Sequence, residues 1–397
     1  MSTDLTRGER PARVAFYNDP RVRSFAYQFL LCVLIVLAVY GAASNAIENL
    51  RRAHIASGFG FWHNTAGFDI SQTLIAYSAQ GSTYGRAFWV GLLNTLLVAG
   101  LGIVFATILG FVIGISRLSK NWLLARVAGG YVETIRNIPL LLQLLFWYNA
   151  VLKTLPDIRD SILIPGGAVL NNRGLFLPQP LTKPGFGAVE IALAVGLAVT
   201  VFFYLWARQR QERTGQQAPV VLVGLALLVG VPGLVLVLAG VPLSFEFPQA
   251  GRFNISGGVE VLPEFAALLF GLSIYTAAFI AEVVRAGISS VSRGQVEAAY
   301  SLGMRPQPTL RLIVVPQAMR VIIPPLTNQY LNLTKNSTLA VAIGYPDLVQ
   351  VFTGTVLNQT GQAVEVVAIT MLVYLTISLV TSFAMNIYNS RVALVDR

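Results

Sequence analysis

The chain has 397 residues, 55% hydrophobic and only 12% charged, against about 25% charged in an ordinary soluble domain. That balance excludes a soluble globular protein and describes an all-α polytopic membrane protein. The net charge of +10 does not point to nucleic acid, because its placement along the chain follows membrane orientation. Cys32 is the only cysteine, so an internal disulfide is excluded. His54 and His63 are the only histidines, and no carboxylate cluster stands at metal-ligand spacing, so no metal site is expected.

Residues 1–24 form a polar tail carrying Arg7, Arg10, Arg13, Arg21 and Arg23. The first apolar run, about Phe25 to Ala46, is too long for a cleavable leader and is long enough to cross a bilayer. It opens a 25–87 segment of one span and one outer loop. Span 2 covers about Phe88 to Ile115, with Gly110 and Gly114 in a G-x-x-x-G spacing that is common by chance. Span 3 covers about Tyr131 to Leu152, completing a unit over 88–152. Residues 153–185 hold five prolines and paired asparagines and are predicted to be an irregular surface loop. Spans 4 and 5, about Phe186–Trp206 and Pro219–Gly240, lie in the same 153–261 stretch, which ends in a second polar loop. Span 6 is about Leu262 to Ile288, span 7 about Pro325 to Gly344, and span 8 about Val364 to Tyr388. These make up a 262–390 unit, and a short tail, 391–397, follows.

About eight spans place both termini on one side. With the 290–320 loop inside, 18 Lys and Arg fall on the inner side and 8 on the outer. That excess obeys the positive-inside rule and puts both termini in the cytoplasm.

Charged and amide side chains inside spans are costly and mark function by default. Lys335 sits near the middle of span 7 with Asn332 and Asn336 within a turn. A lysine there costs about 2.5–3.5 kcal/mol on the insertion scale. A wet translocation face and an interhelical hydrogen-bond network both account for the group. Gln143, deep among leucines in span 3, and Tyr275, near the middle of span 6, are further pathway candidates. Glu133 and Arg136 are three apart and positioned to pair, although Arg136 can also snorkel to the surface. Glu282 and Arg285 repeat that spacing at the inner end of span 6, as a structural ion pair.

Between spans 6 and 7 the chain reads Q-V-E-A-A-Y-S-L-G-M-R-P-Q-P-T-L-R-L-I-V-V-P from Gln295. Gln295 to Leu302 is a short helix by propensity, and Gly303 suits the left-handed position that ends one. Pro306 and Pro308 restart a second helix, which Pro316 is predicted to close or kink. Glu297, Ala298, Ala299, Gly303, Ile313, Val315 and Pro316 match, in register, the E-A-A loop of binding-protein-dependent ABC importer permeases. The chain resembles that family, and more narrowly the permeases of polar and general L-amino-acid importers. Three further stretches carry the narrower likeness, beginning at Tyr131, Ala277 and Leu331.

The resemblance implies a type I importer permease with a five-helix core in spans 2, 3, 6, 7 and 8. Spans 1, 4 and 5 are then additions. It also implies that Glu297, Ala298, Ala299, Gly303 and Pro316 couple the span bundle to an ATPase. The implied partners are a second permease subunit in a heterodimer, two ATPase subunits, a periplasmic amino-acid-binding protein and the lipid bilayer of a bacterial inner membrane. ATP and magnesium belong to the ATPase, and no cofactor is expected on this chain. No G-x-x-x-x-G-K-[ST] phosphate loop is present, as expected of a non-catalytic subunit. The alternative is an ion-coupled secondary amino-acid transporter, against which span 7 offers no carboxylate between Pro325 and Gly344.

Overall fold

A computed structural model of the chain describes residues 20–52, 57–216, 218–251 and 254–392. Most of the two predicted tails, together with His54 and Arg252, lies outside the described residues. Among the described residues, seven helices are long and apolar enough to cross a membrane, or eight if a bent pair is counted as one span.

Helix α1 (Pro20–Arg52) is followed by a loop and α2 (Tyr84–Ser116). Thr83 starts α2 by accepting from Arg86 N–H, and Asn121 starts α3 (Trp122–Asn137) by accepting from Leu123 and Leu124 N–H. Span 3 is not the continuous helix predicted from Tyr131 to Leu152. Pro139 lacks an N–H and holds Ile138 extended, at φ −96° and ψ 125°. The chain turns by 104° between α3 and the next helical run, Leu140–Leu152. That run is α4 (Leu140–Leu145) continued by a π-helical segment.

The predicted irregular loops of the 153–261 stretch are instead strands, a correction to the reading of prolines and asparagines as structureless. Strands β1 (Ile162–Ile164), β2 (Ala168–Asn171), β3 (Gly174–Leu177) and β4 (Gln179–Thr182) precede α5 (Gly187–Thr214). Then come α6 (Val220–Leu225), a π-helical turn and α7 (Val231–Leu238). The return carries β5 (Leu243–Glu246), β6 (Gln249–Ala250), β7 (Ile255–Ser256) and β8 (Val259–Val261). One antiparallel sheet runs β1-β2-β3-β8, and β4 pairs with β5 from Gln179↔Glu246 to Thr182↔Leu243. Spans 4 and 5 are therefore an excursion from one β-hairpin.

Helix α8 (Pro263–Ser289) leads to α9 (Arg293–Ser301), α10 (Pro306–Thr309), a π-helical turn at Leu310–Val314 and α11 (Val315–Asn336). Helix α11 tightens into a 3-10 segment to Ile343. A π-helical segment, Val349–Val356, α12 (Leu357–Thr360) and α13 (Ala363–Val392) complete the chain.

The core centres on α8, with 67% of its most apolar window buried. Helix α2 lies along it because two glycines leave room. A Cβ on Gly110 would stand 2.6 Å from Ile280 Cβ, and one on Gly114 would stand 2.7 Å from the Ala281 carbonyl oxygen. Lipid offers no hydrophobic drive between helices, so such close approach holds them together.

The end of the bundle where α2 begins has its own cluster. Trp62, from the loop after α1, packs on Phe88 and Phe352 with ring centroids 5.2 and 6.0 Å away. Beside it the 345–348 turn is fastened into the bundle. Asn94 Nδ2 donates to the Pro346 carbonyl at 2.9 Å, and Leu348 N–H donates to Thr95 Oγ1 at 3.0 Å. The Asp347 carboxylate is fully buried and accepts from Gln350 N–H at 2.8 Å. Burial raises its pKa from 3.8 to about 7.

Candidate functional site

The loop between α8 and α11 is a built elbow. At the end of α9, Gly303 takes φ +77°. Its N–H donates to the Tyr300 carbonyl at 2.9 Å, and Met304 N–H donates to the Ala299 carbonyl at 3.1 Å. Those two bonds make a complete Schellman stop, which a β-carbon at Gly303 would strain. Glu297, Ala298 and Gly303 are exposed. Ala299 is 1% exposed and faces inward, so it packs the elbow together and offers no surface to a partner. Leu302, 82% exposed, and Tyr300 form an apolar knuckle beside Glu297 that motif matching alone does not single out. The signal for it was available: a leucine immediately before a helix-ending glycine, in a loop outside the bilayer.

Pro316 does not close the second helix. In the π-helical turn ahead of it, Val315 N–H reaches back to the Leu310 carbonyl. Pro316 then falls in the first turn of α11, where a missing N–H is tolerated. Pro324 and Pro325 lie inside α11 without ending it, as membrane helices permit. The helical run from Pro306 to Ile343 spans 38 residues, roughly 57 Å at 1.5 Å per residue. It connects the elbow directly to the polar part of span 7.

There the side chains divide by face. Thr334 and Ser337 are buried, and their hydroxyls donate to the Tyr330 and Thr334 carbonyls. Asn332 and Lys335 are exposed and Asn336 is half-buried. Asn328 is exposed on the same face, four residues before Asn332 and seven before Lys335. No side-chain partner for Asn328, Asn332 or Lys335 occurs among the described residues. Asn328 also lines a groove of about 410 Å³ between α11 and α13, with Thr327, Ser382 and Asn386.

The remaining candidates sit elsewhere. Gln143 is buried, and its Nε2 donates to the Ile135 and Ile138 carbonyls at 2.9 Å each. An unbroken helix would pair the Ile135 carbonyl with residue 139, which is proline. Gln143 thus seals the break in span 3. Tyr275 packs on Phe279 with ring centroids 5.0 Å apart. Arg136 lies over the other partner of that ring, its guanidinium carbon 5.0 Å from the Phe279 centroid. The expected Glu133–Arg136 pair is absent among the described residues, and Arg136 lies over the Phe279 ring instead. Arg285 Nη2 stands 2.5 Å from Glu282 Oε1. The other carboxylate oxygen takes Arg117 from the end of α2, a partner that sequence spacing cannot reveal at a separation of 165 residues.

The chain is a multi-pass bundle with an exposed elbow that is continuous with a polar-faced span. The chain belongs to the family described as binding-protein-dependent transport system inner membrane component, whose model matches residues 102–394. It is 54% identical over 385 residues to the general L-amino acid transport system permease protein AapQ of Rhizobium johnstonii, covering 97% of this chain and 96% of that one. It is 50% identical over 381 residues to the putative amino-acid ABC transporter permease protein YhdX of Escherichia coli, covering 96% and 97%. It is 42% identical over 410 residues to the glutamate/glutamine/aspartate/asparagine transport system permease protein BztB of Rhodobacter capsulatus, covering 96% of each. The protein is the translocation-pathway subunit of an ABC-type amino-acid importer, and members of the family are non-catalytic permeases. Family membership sets aside the ion-coupled transporter.

Proposed function

We propose that this permease carries L-amino acids of several side-chain types inward and is driven through its elbow by an ATPase. The breadth follows the names of two relatives, one a general L-amino acid system and one serving both acidic and amide side chains. The working assembly is this chain, a second permease, two ATPase subunits and a periplasmic binding protein, with both termini of this chain cytoplasmic. Spans 2, 3, 6, 7 and 8 form the moving core. Glu297, Ala298, Gly303 and the Leu302 knuckle meet the ATPase, while Ala299 and Pro316 keep the elbow in shape.

The observation that carries the reading is the Schellman-locked elbow running without interruption into α11. A rigid knuckle is what a neighbouring protein can push, and an unbroken helix delivers the push to mid-membrane. The Asn328, Asn332 and Lys335 face is the pathway side of α11, since a lysine facing lipid there would carry a cost of about 2.5–3.5 kcal/mol.

Gly303→Asp tests the coupling. The chain is expected to reach the membrane at normal level, to lose ATPase co-purification and to lose uptake. Normal co-purification with normal uptake would falsify the assignment of the elbow. Lys335→Ala tests the pathway face, with uptake expected to fall about tenfold at unchanged expression. Wild-type uptake in that variant removes Lys335 from the pathway.

A further inference from the structure

The inner ends of α2 and α8 are tied by one carboxylate. Glu282 Oε1 accepts from Arg285 Nη2 at 2.5 Å and from Arg285 Nε at 3.1 Å, both within α8. Glu282 Oε2 accepts from Arg117 Nη1, on the first residue past α2. Each oxygen therefore has its own guanidinium. The Arg117 side chain is only 17% exposed, so solvent screens this contact less than an ordinary surface pair.

The tie closes a seam. Gly114 sits one turn before Arg117, against the Ala281 carbonyl and Val284, and Gly110 sits one turn further out, against Ile280. Van der Waals contact at these glycine notches holds the two helices side by side but does not by its own geometry fix their register. A charge-assisted bond at the end of the seam does, because its geometry is directional. Arg285 lies four residues before Ser289, where α8 ends, about 6 Å away along the helix, and α9 begins at Arg293. The tie is thus at the point where a displacement of α9 first enters the bundle.

We propose that the Arg117–Glu282–Arg285 bridge makes α2 and α8 a single moving body, so that a push on the elbow shifts α2 together with α8. Arg117 is a positioning residue for coupling and touches neither substrate nor ATPase. The proposal rests on the coupling reading above and adds a second span to what the elbow moves.

The test uses the complete importer in proteoliposomes with its binding protein. Arg117→Met keeps the apolar stem and leaves the Glu282–Arg285 pair intact, so the local fold of α8 is retained. The expected result is normal assembly and receptor-stimulated ATP hydrolysis, with amino acids moved per ATP falling at least about fivefold. Arg117→Lys is expected to restore most of that ratio. A merely structural bridge would lower the amount of assembled importer and leave the ratio unchanged, and an unchanged ratio overturns the proposal.

Should Arg117→Met fail to assemble, spin labels on otherwise wild-type helices decide. With Cys32 replaced by serine, labels at Trp89→Cys and Ser289→Cys mark the outer end of α2 and the inner end of α8. Their separation is expected to hold within about 2 Å between ATP-free and ATP-bound states, and a larger change overturns the single-body reading. Gly303→Asp run in parallel separates the two failures. Normal uptake there defeats the coupling reading. A dead Gly303→Asp beside a normal ratio in Arg117→Met defeats the tie alone.

Discussion

The α2–α8 pair and the α5–α7 pair are both apolar, and only one of them is central. In α8, 67% of the apolar window is buried, against 6% in α5, 11% in the α6–α7 run and 0% in α1. Hydropathy does not separate them, since every one of these helices qualifies as a span. What differs is how they are fastened. The α2–α8 seam has two glycine contacts and an ion bridge at its inner end. Helix α5 has one close approach, Gly196 against the Leu227 carbonyl, and that partner belongs to the same excursion. In a bilayer apolar surface is satisfied by lipid, so small residues and polar fasteners, not apolarity, decide which helices become a core.

The largest expected effect comes from opening that seam. Gly110→Leu forces a side chain into Ile280, where overpacking costs about 1–3 kcal/mol. Uptake and detergent stability should both collapse. Gly41→Leu, on α1 with nothing within 4 Å, should leave both unchanged. Equal damage at the two positions would mean that α1 belongs to the packed core.

A smaller effect tests the outer fastening. Because burial lifts Asp347 from 3.8 to about 7, the folded chain keeps a proton that the unfolded chain gives up. The stability from that proton is whole below about pH 4 and is lost as pH rises through about 7. Melting in detergent should fall between about pH 5 and pH 8, and more shallowly in Asp347→Asn. An equal slope in the two proteins would show that Asp347 is ionised throughout.

The smallest effect sharpens the contrast from the other side. Thr182 and Leu243 face each other in the β4–β5 pair, and Lys183 N–H donates to the Pro242 carbonyl at 3.0 Å. Replacing residues 183–242 by Asn-Gly should close a plain hairpin. The shortened chain should assemble with its ATPase and lose no more than about twofold in uptake, as removal of a surface excursion permits. Failure to insert would make spans 4 and 5 part of the folding core.

The elbow was legible because its determinants are local. A left-handed glycine after a short run of helix formers, and a motif in register, need no distant contact. The exposed placement of Asn332 and Lys335 was legible for the same reason, as both are expensive residues in an apolar run. The roles of Gln143 and Arg136 were not. Gln143 serves carbonyls released by a proline four residues earlier, and Arg136 finds a ring on another helix.

Sequence alone determined the order of the spans and the place of the elbow, since each follows from about 20 apolar residues or from the backbone limits of glycine and proline. Tertiary structure alone decided which spans touch, that Ala299 faces inward, that the proline-rich loops pair as strands and that Arg117 meets Glu282. Those outcomes depend on groups far apart in the chain, whose pairing becomes favourable only once the helices are already side by side.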